Sequence, residues 1–283
     1  VATDGSRASN AALKVAKLMA ERNRWVPRVV TVFEPLPVSV ADMTLGIPAP
    51  TNQHVVADSL LSMIRRQVRR HGNAAWNVRT EFGRSAPTIV RVAKAEDVKL
   101  IVLGLGHHGK LARWLGAETA ARVARHSSVP VLAVDANAGD LPETILVAID
   151  FGESSIRAAH ESAALLGRRG RLHLLHVKWP LGPKAAPETE WDRSYDSGVD
   201  LGFQRLVDAL QRVFSGEITT QVRRGDTIET TLEVAAEVGA DVIALGSHNQ
   251  SVVDRMVIGY TPGAILRAAH CSVLIAPPAE RAG

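Results

Sequence analysis

The chain has 283 residues and a mass of 30.3 kDa, enough for two domains of ordinary size. With 46% hydrophobic and 22% charged residues it has the composition of a globular protein, and at 4% aromatic it excludes a surface built to stack single-stranded bases. Its one cysteine, Cys271, excludes an intrachain disulfide framework and any multi-thiolate zinc site. No apolar run approaches the ~18 residues of a membrane span and no signal-peptide pattern is legible, so a cytoplasmic location without membrane contact is expected. The net charge of +4 and pI near 9.5 point toward a polyanion until they are divided at residue 138. Residues 1–138 hold 19 Lys+Arg and 10 Asp+Glu, a net +9, while the remainder holds 14 and 19, a net −5. A basic half tethered to an acidic one makes nucleic acid an unlikely partner, and charge complementarity is expected to steer the packing of the two halves.

The first half opens with Val1-Ala2-Thr3-Asp4, a strand cut short at its amino end. The pattern then predicts strands near 28–33, 76–82, 99–103 and 130–134, with helices near 8–22, 55–71, 86–95 and 118–126. Ala136–Pro142 reads as a linker, giving domains 1–138 and 139–283. The second half predicts a strand at Thr144–Asp150 and a helix capped by Ser154 or Ser155 that runs to about Gly167. A strand follows at Arg171–Val177, then a Pro-rich loop at Trp179–Pro187 and a helix near Val199–Phe214. Glu217–Arg223 alternates as a strand, Asp226 caps a helix to Val238, and Asp241–Leu245 is a buried strand. The last helix is Tyr260–Ala269 and the last strand Ser272–Ala276.

The second half repeats the first. Val1-Ala2-Thr3-Asp4 returns as Val147-Ala148-Ile149-Asp150, and residues 83–134 align without a gap on 225–276, with twelve of 52 positions identical. Strict alternation of strand and helix implies two tandem five-stranded parallel, doubly wound, Rossmann-like α/β domains with helices on both sheet faces. Such sheets bind ligands beyond the carboxyl ends of their strands, at the topological switch point. That places Asp4, Val32 and the turn at Gly104 in one candidate site, and Asp150, Val177 and the turn at Gly246 in the other. Thr261, with Pro262 at the first helical position, would cap the last helix, and Thr119 is its repeat equivalent. The same residues also read simply as a strand exit and a helix start.

Several other patterns point to chemistry less well. Gly104-Leu105-Gly106-His107-His108-Gly109 imitates a dinucleotide fingerprint. It follows the fourth strand of its unit rather than the first, and Gly116 is expected to interrupt the helix behind it. His107 and His108, with His126 or His248, lack the Asp, Glu or Cys that would complete a metal set. Asp4 and Asp150 could act as bases, although a carboxylate closing a strand more often orients a ligand or caps a loop. Arg65-Arg66-Gln67-Val68-Arg69-Arg70 sets two i,i+4 arginine pairs on one helix, a solvated face or a polyanion contact.

The chain resembles the universal stress proteins in their tandem two-domain form. The resemblance rests on Val1-Ala2-Thr3-Asp4-Gly5-Ser6, on the Pro-containing loop after each second strand, on Val102-Leu103-Gly104 and on Ala244-Leu245-Gly246-Ser247-His248. Val129-Pro130-Val131-Leu132-Ala133 and Cys271-Ser272-Val273-Leu274-Ile275 complete it. It implies a non-enzymatic stress-response protein whose last strands pair across domains or subunits, and a homodimer of chains. ATP-binding members carry Gly-x2-Gly-x9-Gly-Ser/Thr before the last helix. Here Gly246 and Gly259 match, Asn249 replaces the middle glycine, and Tyr260 replaces the hydroxyl residue. In the first half His107, Ala117 and Glu118 stand at the later positions, and a shifted register from Gly106 to Gly109 and Gly116 does not restore the spacing. The resemblance therefore implies an adenine nucleotide, ATP with its Mg, held better by the second half. The alternatives are an adenine-nucleotide hydrolase or ligase and a polyanion-binding protein using the basic half.

Overall fold

The structure, a computed structural model, describes residues 1–34, 53–106, 109–178, 190–247 and 260–278. After an extended opening segment at residues 1–3, the first half runs α1 (Arg7–Asn23), β1 (Val29–Phe33), α2 (Gln53–His71), β2 (Val78–Phe82), α3 (Ser85–Ala95), β3 (Ile101–Leu105), α4 (Gly109–His126) and β4 (Val131–Asp135). The second half runs β5 (Thr144–Ala148), α5 (Glu153–Leu166), β6 (Arg171–Lys178), α6 (Glu190–Gln211), β7 (Glu217–Arg224), α7 (Thr227–Glu237), β8 (Val242–Gly246), α8 (Tyr260–Ala268) and β9 (Ser272–Ala276).

Two sheets become one. β3-β4-β9-β8-β5-β6-β7 form a continuous sheet, and β1-β2 are joined to it through the opening segment. There the Ala2 amide donates to Val102 O at 2.9 Å and the Thr3 amide to Val30 O at 3.0 Å. Each half thus has the order third, second, first, fourth, fifth strand, with the switch point between the first and fourth. Within each half the pairing is parallel; β4 and β9 meet antiparallel through Val131–Ile275, Leu132–Leu274 and Ala133–Val273. The repeat offset exchanges the two outer pairs and maps Leu132 on Leu274, so a pseudo-twofold passes through that central pair.

The hydrophobic core follows the faces of this sheet rather than the boundary between the halves. Val131, Ala133, Val273 and Ile275 point to one face with α3, α4, α7 and α8, while Leu132, Leu274 and Ala276 point to the other with α1, α5 and α6. Alternation along a strand sends neighbouring residues to opposite faces, so β4 and β9 serve both cores at once. A third cluster, Leu13, Val29, Ile64 and Val68, seats α2 at the β1–β2 end. Polar contacts across the seam include the Asp135 amide, which donates to Ser272 Oγ at 3.0 Å, and two arginines. Arg22, in the last turn of α1, donates to Leu165 O at 2.5 Å and Leu166 O at 3.2 Å, capping α5 from the other half. Arg157 of α5 donates to Ser128 O at 3.4 Å and to Pro278 O at 2.9 Å.

Several boundaries differ from the sequence reading. α6 begins at Glu190 rather than near Val199. α5 is capped by Gly152, not by Ser154 or Ser155, which are buried inside its first turn. Asp226 caps α7 as expected, accepting from the Ile228 and Glu229 amides at 2.9 and 3.0 Å. α4 starts at Gly109 and runs through Gly116, so that glycine does not interrupt it; one glycine costs a helix only about 1 kcal/mol, which packing overrides. Charge complementarity does not hold the halves together. The ion pairs seen among the described residues join residues of the same half, from Arg28–Glu96 to Arg223–Glu237. The Pro-rich loop at 179–187 lies outside the described residues.

Truncating Leu132 or Leu274 to Ala should each cost about 2–5 kcal/mol. Urea denaturation should still show one transition, because each core crosses the seam. Burial, reinforced by the Asp135 carboxylate, pushes the Cys271 thiol up to about 12. Its reaction with a disulfide reagent at pH 8 should be roughly a thousandfold slower in the native protein than after unfolding.

Candidate functional site

The switch point sets the first strand of each half beside the fourth, and the turn that follows the first strand is built alike in both. Asp4 Oδ1 accepts from the Ser6 amide at 2.9 Å and from Ser9 Oγ at 2.7 Å. Asp150 Oδ1 accepts from the Gly152 amide at 2.9 Å and from Ser155 Oγ at 2.5 Å. Each carboxylate ties its own loop to the start of the next helix, the capping role rather than the role of a free base. Burial alone would raise the Asp4 carboxyl, but the hydrogen bonds from Ser6 and Ser9 together outweigh it and hold it below the usual range. The spacing Asp-x4-Ser, present in both copies, was the sequence signal for this device.

The glycines at the exits of β3 and β8 have a structural reason to be glycine. A Cβ on Gly104 would lie 2.5–2.7 Å from the backbone of Ala8 and Ser9, and one on Gly246 would lie 2.6 Å from the Ser155 amide nitrogen. Helices α1 and α5 cross the sheet at these points, and only glycine admits them. The same close approach sets Ser154 and Ser155, just behind the Asp150 loop, against Gly246, and the next residue, Ser247, donates its amide to Ala276 O at 2.8 Å. Val32 and Val177 lie near the ends of β1 and β6, packed against the core on the α3–α7 face.

Other expected site residues lie on the last helix of each half or outside the described residues. Thr119 and Glu118 lie within α4, where Glu118 accepts from Arg122 Nε at 2.9 Å. Gly109 is the first residue of that helix. Thr261 is the second residue of α8, inside the helix rather than at the cap expected of it. His107, His108, His248, Asn249 and Gly259 lie outside the described residues. Residues 109–117 are helix in the first half, while their counterparts 251–259 lie outside the described residues; the halves differ there in sequence, Glu118 standing where Tyr260 stands in the second.

They differ again beneath α2 and α6. In the first half Gln67 of α2 accepts from Thr3 Oγ1 at 2.7 Å and donates to Ser6 O at 2.9 Å and Asn10 Oδ1 at 2.8 Å. In the second, His176 stands where Thr31 stands in the first. Its Nδ1–H donates to Ile149 O at 2.7 Å, which leaves Nε2 to accept from Tyr195 Oη of α6 at 2.9 Å. Phe151 packs between His176 and Phe203, with ring centroids 5.3 and 5.2 Å away, and Lys178 pairs with Asp196 over the Tyr195 ring. None of Gln67, His176, Tyr195 or Phe151 was singled out from the sequence, since only the fold brings them under the strand ends.

The loop–helix fit is exchanged between copies. Gly5, at φ 82°, leaves room for Met63, whose Cε would lie 2.4 Å from an added Cβ. At the equivalent position Phe151 holds φ 62°, and the room is made on the helix by Gly202, whose added Cβ would lie 2.7 Å from the Phe151 ring. A left-handed phenylalanine costs about 1–2 kcal/mol, which its packing offsets. Among the described residues no group of three or more His, Cys, Asp or Glu could hold a metal, and no helix is long and apolar enough to cross a membrane. A cleft of about 670 Å³ opens near Val1, Trp25 and Leu100, at the amino ends of the strands and away from this site.

Comparison with known proteins places this architecture. The family model described as "Universal stress protein family" matches residues 1–135 and again 142–277. A universal stress protein of Mycobacterium tuberculosis is 23% identical over 71% of this chain and 69% of its own length. A universal stress protein E homolog of Haemophilus influenzae is 23% identical over 81% and 77%. Among solved structures, a universal stress protein from Archaeoglobus fulgidus superposes with a TM-score of 0.65 at 20% identity, covering 99% of this chain and 95% of that one.

Gly202→Ala should destabilise the protein by about 1–2 kcal/mol by striking the Phe151 ring. In a Phe151→Gly background the same change should stabilise by up to about 1 kcal/mol through helix propensity. Paired urea curves read this reversal of sign. The stability that Asp4 adds over an Asp4→Asn variant should be complete above pH ~4 and vanish as pH falls through its lowered folded pKa, since the unfolded carboxyl binds its proton first. Stability measured against pH checks this.

Proposed function

The chain belongs to the universal stress protein family as a tandem of two family units, and we propose that it is a non-enzymatic, cytoplasmic binding and regulatory protein, with units 1–138 and 139–283, that holds an adenine nucleotide in the second. ATP, with the Mg that accompanies it, is the ligand proposed. The observation that carries the reading is the sequence ahead of the last helix: the second unit keeps the Gly246-x2-Asn249-x9-Gly259 spacing, whereas the first has His107, Ala117 and Glu118 at the later positions.

Three further features support it. The Asp150 loop and Gly246 lie side by side at the switch point, where open parallel sheets take ligands. α5 starts there from Gly152 without a side-chain cap, which sets the positive end of the helix dipole at this turn. Glu153 in that first turn opposes an anion and keeps the expected affinity modest. Tyr260 and Thr261 are the first described residues of the last helix, which follows the Gly246–Gly259 spacing in the chain. Pairing of two chains into a homodimer belongs to the same proposal.

Mass spectrometry of gently denatured, freshly purified protein, followed by calorimetry with ATP, tests the site. Co-purified nucleotide, or a Kd below roughly 100 μM (about −5.5 kcal/mol), is the expected result, and Asp150→Ala should weaken it at least tenfold. Absence of both nucleotide and heat would overturn the reading. Release of phosphate from ATP at enzymatic rates would instead make the protein a hydrolase.

A further inference from the structure

The charge division, +9 in residues 1–138 against −5 in the remainder, is not consumed inside the chain. The seam is apolar, its arginines Arg22 and Arg157 go to carbonyl oxygens, and the ion pairs seen stay within one half. Two helices concentrate what is left. On α2, Arg65, Arg66, Arg69 and Arg70 are all exposed, no Asp or Glu occurs from Ser59 to His71, and none of the four has an ion-pair partner among the described residues. Lys14 of α1 adds to this patch: with burial as the larger cause, Lys14 and Arg70 hold His71 below the usual imidazole range. On α7, Glu229, Glu233 and Glu237 are exposed at i, i+4 and i+8, the helix contains no Lys or Arg, and among the described residues only Glu237 has an ion pair, with Arg223.

Helix dipoles explain part of this pattern. Arg69 and Arg70 suit the carboxyl end of α2, and Glu229 suits the first turn of α7. Arg65 and Arg66 lie more than a turn from that end, and Glu233 and Glu237 sit toward the wrong one. Like charges four apart each cost a helix a few tenths of a kcal/mol. The two helices cannot relieve each other within one chain. α2 packs on β1 and β2 on the α1 side of the sheet, and α7 packs on β5 and β6 on the opposite side, at the other end of the strand order.

We propose that the α2 arginine ridge docks the α7 glutamate stripe of a second copy of this chain, head to tail. The repeats match, since Arg65/Arg69 and Glu229/Glu233 are both four residues, about 6 Å, apart. The contact is heterologous, so it can continue from copy to copy. Made of exposed charges, it sets orientation and encounter rate more than affinity and fades once salt shortens the screening length below ~10 Å. Guanidinium forks also match phosphates, which makes duplex nucleic acid the competing occupant.

Sedimentation velocity of the full chain over a concentration series, at ~20 mM and ~500 mM salt, reads the contact. Concentration-dependent association at low salt that reverts at high salt is expected. Arg65→Glu/Arg69→Glu and Glu229→Arg/Glu233→Arg should each weaken it at least tenfold, with circular dichroism and thermal melts showing both variants folded. Mixing the two variants should restore association, because the reversed faces again oppose. Lack of salt-sensitive association in the wild type, or failure of the mixture to restore it, would overturn the proposal. So would a ridge variant that loses binding to a short DNA duplex while self-association is unchanged, which would give the ridge to nucleic acid.

Discussion

The structure depends on one short antiparallel contact between β4 and β9. Three residue pairs join two parallel sheets of opposite direction into one, and Leu132 against Leu274 lies on the axis that relates the halves. Every element that would otherwise close the edge of a separate domain becomes interior. The α4–α8 contacts, and the reach of Arg22 of α1 across to the end of α5, follow from where this pairing sets the helices. Because adjacent strand residues face opposite ways, a five-residue strand supplies both large cores, each of which crosses the seam, while the small cluster under α2 stays within the first half.

That pairing also sets where function can reside. It consumes the fifth strand of each half and leaves both switch points open at the carboxyl ends of the first and fourth strands. The turns there are near copies: a carboxylate held by an amide two residues on and a serine five residues on, beside a glycine that admits the crossing helix. Duplicated backbone has been filled with different side chains. One copy packs Met63 over Gly5 and ties its helix down through Gln67; the other packs Phe151 over Gly202 and ties its helix down through His176 and Tyr195. A bulky group and a glycine have changed places across the same interface, so both copies stay filled while their chemistry diverges.

Electrostatics plays a smaller part in this fold than the composition suggests. Opposite net charges on the two halves invite the idea that they attract each other, yet their interface is made by Val, Leu, Ile and Ala. Burying ion pairs at a seam of this kind costs desolvation that apolar contact avoids. The charge is carried instead on outward helices, at opposite ends and on opposite faces.

The sequence by itself determined the number and order of the elements, the duplication, and the place of the switch point. Short continuous apolar runs such as Ser272–Ala276, and a cap such as Asp226, are local signals that need no knowledge of distant residues. It also held the Asp-x4-Ser spacing that builds both turns. What it could not settle depends on contacts between distant residues. Whether Gly116 breaks a helix is decided by the packing of α4 on α8. Whether Ser155 caps a helix or serves Asp150 is decided by the angle at which α5 crosses Gly246. That His176 meets Tyr195, nineteen residues on, required the fold to bring α6 over β6. And whether +9 and −5 attract one another was a question of where the charges point, which only the tertiary structure fixes.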